Sequence, residues 1–313
     1  MKEPIFELKG VTREFGGDFF SKEKIKAVND VSFSINRGEV VSLIGESGSG
    51  KTTIGKMILR LLKPTKGRLF FYGENIWSIP KRDIKKYYRK VQGIFQDPFS
   101  SFNTLFKVDR VFNMIFDIFY PHEINRKGKI MKVIRDVGMN PKDVLGKYPH
   151  QLSGGQLQRL LIARALLMEV EFLVADELIS MLDASTRIDI LNLLREIAAN
   201  RGMSVLFITH DLSLGYYISD TTLIMYKGEI VEMGDTVKVY KNPVHPYTKV
   251  LLDSVPKIDD VWSRDEIFLP EVIQDKILEF YRANSVQKER IKKVEEDHFV
   301  MLKTNNEVEY DCI

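Results

Sequence analysis

Short apolar runs separated by longer amphipathic segments dominate the hydrophobic pattern of the chain. Segment 52–62 and the region from about 78 to 168 have the apolar spacing that is typical of helices. Strands that alternate with helices predict a mostly parallel sheet that is covered on both faces. The runs with the length and composition of buried strands are 39–44, 172–176, 204–209 and 222–226.

The two ends of the chain have a different pattern. Near the N-terminus, segments 5–8, 31–35 and 68–72 are predicted strands bounded by glycine, asparagine or charge. Near the C-terminus, a boundary is expected at 254–262. Beyond it, 270–297 has helical spacing, and the last 16 residues, 298–313, predict a hairpin that turns at Asn305 and Asn306.

Composition restricts the class of protein. The 313 residues, 44% of them hydrophobic, can form one large domain with a smaller appendage. The net charge of +3 is too small to indicate nucleic acid by itself. The single cysteine, Cys312, excludes an internal disulfide framework and a cysteine cluster for zinc or iron–sulfur, and it fits a reducing, cytoplasmic compartment. No signal peptide or membrane-spanning apolar run is recognised.

A glycine-rich segment follows the first buried strand and precedes the predicted helix at 52–62. It reads GESGSGKTT over residues 45–53 and fits the pattern G-x-x-x-x-G-K-[ST]. Such glycines let successive backbone N–H groups converge on an anion, and the helix start adds its positive end. Lys51 supplies a charge for phosphate oxygens, and the Thr52 hydroxyl is a hard ligand suited to Mg²⁺. The alternative is an ordinary glycine turn, but the strand and helix on either side favour a phosphate-binding loop.

A second glycine pair lies in the sequence LSGGQ at 152–156, directly before an apolar helical pattern. Ser153 is a good N-cap, and the glycines expose backbone amides at the helix start. The segment is therefore a possible second anion site. Taken alone, it is more typical of a turn that simply begins a helix.

Two acids, Asp176 and Glu177, end the apolar strand FLVADE. Strand ends of this kind face the crevice where ligands bind in open α/β sheets. Asp176 could hold Mg²⁺ through water, and Glu177 could orient and deprotonate an attacking water. The alternative is a pair of acids that caps the following helix.

The order of these motifs is more informative than any one of them. In succession come Lys51, Gln96 in IFQDPFSSFN, LSGGQ, VADE, MLDAS at 181–185 and His210 in FITHD. Together they resemble the ATP-binding cassette (ABC) ATPases over about residues 3–256. The resemblance implies a P-loop α/β fold with a mixed sheet core, an antiparallel β subdomain, a helical subdomain at about 97–168 and, from 257 to 313, a small C-terminal α+β extension.

The resemblance also implies a role for each motif. Glu177 would be the catalytic base, His210 and Gln96 would contact the γ-phosphate, Lys51 would contact the β- and γ-phosphates, and the implied cofactors are ATP and Mg²⁺. The implied metal ligands are Thr52, Gln96 and Asp176. The implied nucleotide-binding residues are Phe15, which would stack on adenine, Gly45, Glu46, Ser47, Gly48, Ser49, Gly50, Lys51, Thr52, Thr53, Gln96, Asp176, Ser153, Gly154, Gly155, Gln156 and Asp183.

Two points qualify these roles. Phe15 could instead be a loop-packing residue, as could the nearby Phe19 and Phe20. Leu178 stands where the family usually has proline after the catalytic glutamate. Proline would stiffen this turn, so the leucine is expected to loosen Glu177 while all the chemical groups remain.

The segment GEIVEMGDTVKVYKNPVHPYTKVLLDSVP at 228–256 resembles the oligopeptide/dipeptide importer ATPases. This resemblance implies a peripheral subunit on the cytoplasmic face of the membrane that powers uptake of oligopeptides or oligosaccharides. The implied partners are an identical or a sister ATPase, transmembrane permease subunits and, indirectly, a solute-binding protein, with no nucleic acid. The alternative is a non-transport ABC ATPase that acts on nucleic acid or ribosomes.

Several aromatic residues lie between Gln96 and LSGGQ, and two interpretations remain open. Most of the rings are expected to form the core of the helical subdomain, while a few near 99–106 would line a groove for a short helix of the permease. The aromatic residues concerned are Phe99, Phe102, Phe106, Phe112, Phe116, Phe119 and Tyr120.

Overall fold

Two sheets organise the structure, a computed structural model that describes residues 4–16, 24–254, 270–284 and 290–303. Within these residues, one sheet has four antiparallel strands in the order β2-β1-β4-β5. The other has eight strands in the order β11-β12-β10-β9-β3-β8-β7-β6. The strands are β1 (Pro4–Phe15), β2 (Ile25–Asn36), β3 (Val40–Ile44), β4 (Lys66–Phe71), β5 (Glu74–Asn75), β6 (Val91–Ile94), β7 (Phe172–Asp176), β8 (Ser204–Thr209), β9 (Thr221–Tyr226), β10 (Glu229–Asp235), β11 (Ile291–Glu295) and β12 (His298–Met301).

Helices cover the eight-stranded sheet and form a separate helical layer. Among the described residues, no helix combines the length and apolar character that crossing a membrane requires. The helices are α1 (Lys51–Ile58), α2 (Ile84–Lys90), α3 (Asp109–Phe119), α4 (Arg126–Asp136), α5 (Pro141–Val144), α6 (Gly154–Leu167), α7 (Ala184–Arg201), α8 (Leu212–Ile218), α9 (Thr236–Lys241), α10 (Pro246–Asp253) and α11 (Pro270–Asn284).

The central strands β3, β7 and β8 are parallel neighbours, and every residue in them is buried. Their continuous apolar runs suit burial on both faces. Because parallel strands end at the same edge of a sheet, the loop after β3, the acids at the end of β7 and the histidine after β8 meet there. The sheet thus brings distant segments of the chain to one crevice.

The helical subdomain packs around its aromatic residues. Phe112 and Phe116 of α3 are fully buried and pack in one apolar cluster with Ile134 of α4 and Leu157 of α6. The expectation that most rings between Gln96 and LSGGQ are core residues agrees with this packing. Phe99 and Phe106 are exceptions, since they are 41% and 38% exposed.

The C-terminal extension joins the main sheet. Strand β12 pairs antiparallel with β10, and β11 pairs with β12. Helix α11 contributes Ile277 and Tyr281 to an apolar cluster shared with Tyr247 of α10. This arrangement agrees with an α+β extension, whereas the division at residues 256 and 257 stays a prediction.

The predicted helix over 270–297 is wrong in its second half. Helix α11 ends at Asn284, and residues 291–295 form strand β11 instead. Ile291 and Val294 are three residues apart, which imitates a helical stripe, but cross-strand pairing with β12 determines the conformation. The observed turn of this hairpin lies at 296–297, and the turn predicted at Asn305 and Asn306 lies outside the described residues.

Other strand boundaries also differ from expectation. Strands β1 and β2 have 12 residues each, longer than the segments 5–8 and 31–35 that predicted them. Strands β6 and β10 were not predicted. Helix α1 ends at Ile58, before the expected end at 62, because Arg60 takes a left-handed φ of 56° and the amides of Leu61 and Leu62 bond back to the Lys56 carbonyl.

Candidate nucleotide-binding site

Backbone geometry explains the glycines of the loop between β3 and α1. Gly48 and Gly50 have φ values of 84° and 109°, in the region that favours glycine. A Cβ on Gly50 would lie 2.1 Å from the Ala27 carbonyl oxygen, and one on Gly45 would lie 2.1 Å from the Met225 carbonyl oxygen. The loop is thus curled tightly and packed directly against the backbone of β2 and β9.

The side-chain ammonium of Lys51, the first residue of α1, is bound by this loop. Its Nζ donates to the carbonyl oxygens of Gly45 and Glu46, both at 2.7 Å, and is 3.4 Å from Ser49 Oγ. Burial lowers the pKa of the Lys51 ammonium, although the charge of Glu177 acts in the opposite direction. A buried cation held by a glycine-rich loop at a helix start suits a polyphosphate.

Thr52 and Asp176 provide a pair of hard oxygen ligands beside the loop. Thr52 Oγ1 donates a 3.1 Å hydrogen bond to Asp176 Oδ1. Burial raises the pKa of Asp176, with the hydrogen bond from Thr52 opposing it and the charge of Glu177 adding to it. A carboxylate whose charge is costly to bury is stabilised by a divalent cation, and hydroxyl and carboxylate oxygens suit Mg²⁺. The donor set therefore fits the predicted metal.

Glu177 and His210 form a contact at the ends of β7 and β8. His210 Nδ1 lies 2.7 Å from Glu177 Oε1, and Glu177 N–H donates to the Ile208 carbonyl oxygen at 3.0 Å. The Glu177 side chain is 17% exposed and that of His210 is 63% exposed. The Glu177 carboxylate therefore faces the crevice, while the Glu177 backbone is hydrogen-bonded to the neighbouring strand β8.

The turn after Glu177 is held in place although it lacks proline. Glu177 has a left-handed φ of 50°, and its carbonyl oxygen accepts from Ser180 Oγ at 3.0 Å. Leu178 is 1% exposed, and its carbonyl oxygen accepts a hydrogen bond from the buried Gln158 side chain of α6. Apolar burial and hydrogen bonds thus hold the turn where the family usually has the rigid proline ring, while the expected loosening of Glu177 stays a prediction.

One cleft of about 600 Å³ brings together most of the predicted site residues. The phosphate loop, Thr52 and the Glu177–His210 contact border the same space. The predicted residue Asp176 is not part of this lining and reaches it through its contact with Thr52. Two lining residues, Ala27 and Leu251, were not predicted. The predicted residues that line the cleft are Gly45, Glu46, Ser47, Gly48, Gly50, Lys51, Thr52, Thr53, Gln96, Glu177 and His210.

Phe15 is not among the residues that line this cleft. It is 40% exposed at the end of β1, and the Arg13 guanidinium lies 4.7 Å from its ring centroid. Its role in stacking on adenine stays a prediction. Phe19 and Phe20 lie outside the described residues.

The LSGGQ segment forms the N-terminus of α6, away from the cleft lining of the same chain. Ser153 Oγ accepts from Gln156 N–H, and the Gln156 side chain accepts from Ser153 N–H, which makes a reciprocal cap. Gly154 is the first helical residue, and a Cβ on Gly155 would lie 2.7 Å from Thr186. The close approach of α7 thus explains the second glycine.

Asp183 caps α7 in the same way, next to the LSGGQ segment. Its carboxylate accepts from Thr186 N–H at 3.0 Å and from the hydroxyls of Ser185 and Thr186, each at 2.7 Å. These hydrogen bonds, led by the one from Thr186 N–H, lower the pKa of Asp183. The structure thus gives Asp183 and Ser153 a local role as caps, and their contact with nucleotide stays a prediction.

Tyr247 was not predicted as a site residue, and it contacts the phosphate loop without lining the cleft. The Tyr247 hydroxyl accepts a 3.1 Å hydrogen bond from the Glu46 backbone N–H, and its ring is 1% exposed. The available signal was the triplet His-Pro-Tyr at 245–247, which has a possible N-cap followed by proline at the first helical position.

The chain matches two known protein families. Residues 28–180 match the family described as ABC transporter, and residues 231–276 match the family described as oligopeptide/dipeptide transporter, C-terminal region. An oligopeptide transport ATP-binding protein, OppF, of Streptococcus mutans is 42% identical over 85% of this chain and 86% of its own. The OppF protein of Streptococcus pyogenes serotype M1 is 39% identical over 94% and 99%.

Solved structures give the same result. The dimeric, ADP- and Pi-bound ATP-binding cassette MJ0796 has a TM-score of 0.66 and 27% identity, covering 74% of this chain and 98% of its own. The cbiO1 protein of Clostridium perfringens, at 24% identity and a TM-score of 0.66, supports the fold alone and covers 77% and 92%. The predicted fold class is therefore confirmed, and the chain belongs to the family of ABC transporter ATP-binding proteins, in its oligopeptide/dipeptide group.

Proposed function

We propose that this ABC ATPase binds and hydrolyses ATP to power the uptake of oligopeptides. The observation that carries the proposal is the convergence of Lys51, Thr52 and the Glu177–His210 contact on one cleft, with Asp176 bonded to Thr52 beside it. This set of groups supplies a polyphosphate cradle, a metal-binding pair and a base, which ATP hydrolysis requires.

The proposed chemistry assigns one task to each group. Backbone amides of the loop and Lys51 hold the β- and γ-phosphates, and bound Mg²⁺ would offset the charge of their oxygens beside Thr52 and Asp176. Glu177 orients the attacking water and accepts its proton. His210 would contact the γ-phosphate, and its 2.7 Å contact with Glu177 supports this role.

We further propose that the active form is a pair of ATPase subunits. The phosphate loop precedes α1, whereas the LSGGQ segment begins α6. The LSGGQ residues do not line the cleft described above. Each subunit would then contribute one half of each nucleotide site, so that ATP joins the two subunits and its hydrolysis releases them. The oligomers that form when ATP is added would show whether the second subunit is identical or a sister ATPase.

A groove in the helical subdomain supports docking to a permease. The groove has a volume of about 380 Å³ and an apolar lining beside Gln92 and Arg164. Phe106, which lines the groove, is 38% exposed, and its ring centroid lies 3.5 Å from the Arg110 guanidinium carbon. A short amphipathic helix of a membrane subunit fits such a groove. Its apolar lining includes Phe102, Phe106, Val111, Met114, Ile115, Ile118, Phe119 and Met168.

The proposed solute class is oligopeptides, because the similar proteins named above are oligopeptide transport proteins. Oligosaccharide uptake, the other predicted possibility, has no support from these names. In this proposal the chain is a peripheral protein on the cytoplasmic face of the membrane, where its permease partners lie.

Uptake into proteoliposomes tests the proposal. The chain is reconstituted with the membrane subunits and sister ATPase of its importer, and peptide accumulation is measured with external peptide-loaded binding protein and internal Mg–ATP. Uptake of peptide but not of cello-oligosaccharide, lost with Glu177→Gln, is the expected result. Sugar uptake would contradict the solute class, and ATPase stimulation by DNA or ribosomes without uptake would contradict transport.

A further inference from the structure

The triplet His-Pro-Tyr at 245–247 combines three tasks at the start of α10. His245 is the N-cap, and its Nδ1 accepts a 3.2 Å hydrogen bond from Tyr247 N–H. Pro246 takes the first helical position, where its missing N–H is not needed. The Tyr247 hydroxyl accepts the hydrogen bond from Glu46 N–H in the phosphate loop. The helix start therefore reaches the nucleotide cleft directly.

The second nitrogen of His245 connects this helix start to the C-terminal extension. Nε2 lies 3.0 Å from the Tyr281 hydroxyl of α11. Because Nδ1 accepts a hydrogen bond, the neutral ring carries its proton on Nε2 and donates it to Tyr281. Burial lowers the pKa of His245 to about 3, and the charge of Lys303 acts in the same direction. The imidazole thus stays neutral and keeps both contacts.

The buried carboxylate of Glu232 also binds the backbone at the start of α10. Glu232 of β10 accepts hydrogen bonds from the backbone N–H groups of Val244 and His245 at 2.8 and 3.0 Å. His298 Nε2 of β12 lies 2.7 Å from Glu232 Oε1, and both side chains have no exposed area. The β11–β12 hairpin and α11 therefore both hold the residues that precede Tyr247.

We propose that Tyr247 is a positioning residue for the phosphate loop, and that the C-terminal extension tunes nucleotide affinity through Tyr281 and His245. Tyr247 acts through the Glu46 backbone and does not line the cleft, whereas Leu251, one turn further along α10, does. Removing the hydroxyl leaves the Glu46 amide without this acceptor and frees the loop to move away from its curled conformation. The inference rests on the proposed role of this loop in binding ATP.

The first test is Tyr247→Phe in the full-length chain, with Mg–ATP binding measured by calorimetry and turnover by phosphate release. The expected result is a three- to tenfold weaker affinity, about the value of one hydrogen bond, and a matching rise in KM with kcat within about twofold. Tyr120→Phe is the matched control, since it removes a phenol hydroxyl 3.3 Å from the Met168 carbonyl oxygen in the helical subdomain.

Two more variants test the connection to the extension. His245→Asn keeps an N-cap acceptor but cannot reach Tyr281, and Tyr281→Phe removes the same contact from the opposite side. Both are expected to weaken ATP binding about two- to fivefold, and combining Tyr281→Phe with Tyr247→Phe is expected to be non-additive. If Tyr247→Phe does not fold, the ATP affinity of His245→Asn is the measurement that remains for this helix start.

The outcomes separate the claims. Wild-type binding of Mg–ATP establishes the loop assignment, and its absence would contradict the proposed function before any variant is compared. Unchanged affinity in Tyr247→Phe, with or without a loss of thermal stability, would overturn the positioning role. Weaker binding in Tyr247→Phe with normal binding in His245→Asn and Tyr281→Phe would overturn the link to the extension.

Discussion

His210 Nδ1 lies 2.7 Å from Glu177 Oε1, and this contact joins residues that are 33 positions apart in the sequence. It forms because β7 and β8 are parallel neighbours that end at the same edge of the sheet. Glu177 and His210 are thus placed by strand order rather than by a local motif. The same edge brings in Lys51, so that all three side chains depend on the sheet for their geometry.

Lys51→Ala is expected to weaken Mg–ATP binding by about 100-fold or more. The substitution removes the buried ammonium, whose charge-assisted hydrogen bonds to phosphate oxygens are worth more than neutral ones. It also leaves the carbonyl oxygens of Gly45 and Glu46 without their donor. Calorimetry on the purified chain measures the change, and unchanged affinity would contradict the assignment of the loop. Lys56→Ala, on the exposed side of α1, is the control.

The two left-handed glycines of the loop are expected to differ in their tolerance of alanine. Gly48→Ala meets no atom within 4 Å, so only the strain of φ 84° remains, which costs about 1–2 kcal/mol or a fall in Tm of roughly 2–8 °C. Gly50→Ala adds overlap with the Ala27 carbonyl oxygen, and its loss of stability should be at least about twice as large. Thermal unfolding without nucleotide makes the comparison, and equal Tm values would contradict the close packing of the loop.

Much of the site could be predicted from sequence because its motifs are local. The phosphate loop, the acids at the end of β7 and the histidine after β8 each follow a continuous apolar run, and a buried parallel strand has that pattern. Gly48 and Gly50 were identified because they belong to a spaced glycine pattern, and glycine is the residue that lets a loop curl tightly.

What sequence reasoning missed depends on contacts between distant segments. Strand β11 is formed by pairing with β12 and not by its own pattern, because its residues are half-buried or exposed. Tyr247 was missed because nothing near it in the sequence indicates that its hydroxyl reaches Glu46, 201 positions away. Gln158, which holds the Leu178 carbonyl, belongs to the same class. Such polar contacts become visible only when the sheet has brought their elements together.

The stability of the chain should depend on pH through His245. In the native state its pKa is lowered to about 3, whereas in the unfolded chain it lies near 6.5. Between these values the unfolded state binds a proton that the native state does not, so stability is lost as the pH falls below about 6.5. Between pH 7.5 and pH 5, protonation of His245 in the unfolded state is expected to lower the free energy of unfolding by about 2 kcal/mol.

Denaturant unfolding of the wild type and of His245→Asn at several pH values isolates this contribution. The other titrating groups are common to both chains and cancel in the difference. The stability advantage of the wild type over His245→Asn is therefore expected to shrink as the pH falls from 7.5 to 5. A difference that stays constant with pH would contradict the neutral, buried state of this imidazole.

The most direct measurement of the central claim compares the wild type with Glu177→Gln, recording phosphate release and Mg–ATP binding on the same samples. Glutamine keeps the size of the side chain but cannot accept a proton, so turnover is expected to fall by about 10²- to 10⁴-fold while ATP still binds with affinity within a few-fold of the wild type. Phosphate release at the wild-type rate would contradict the account of hydrolysis in this cleft, and so would a loss of binding as large as that expected for Lys51→Ala.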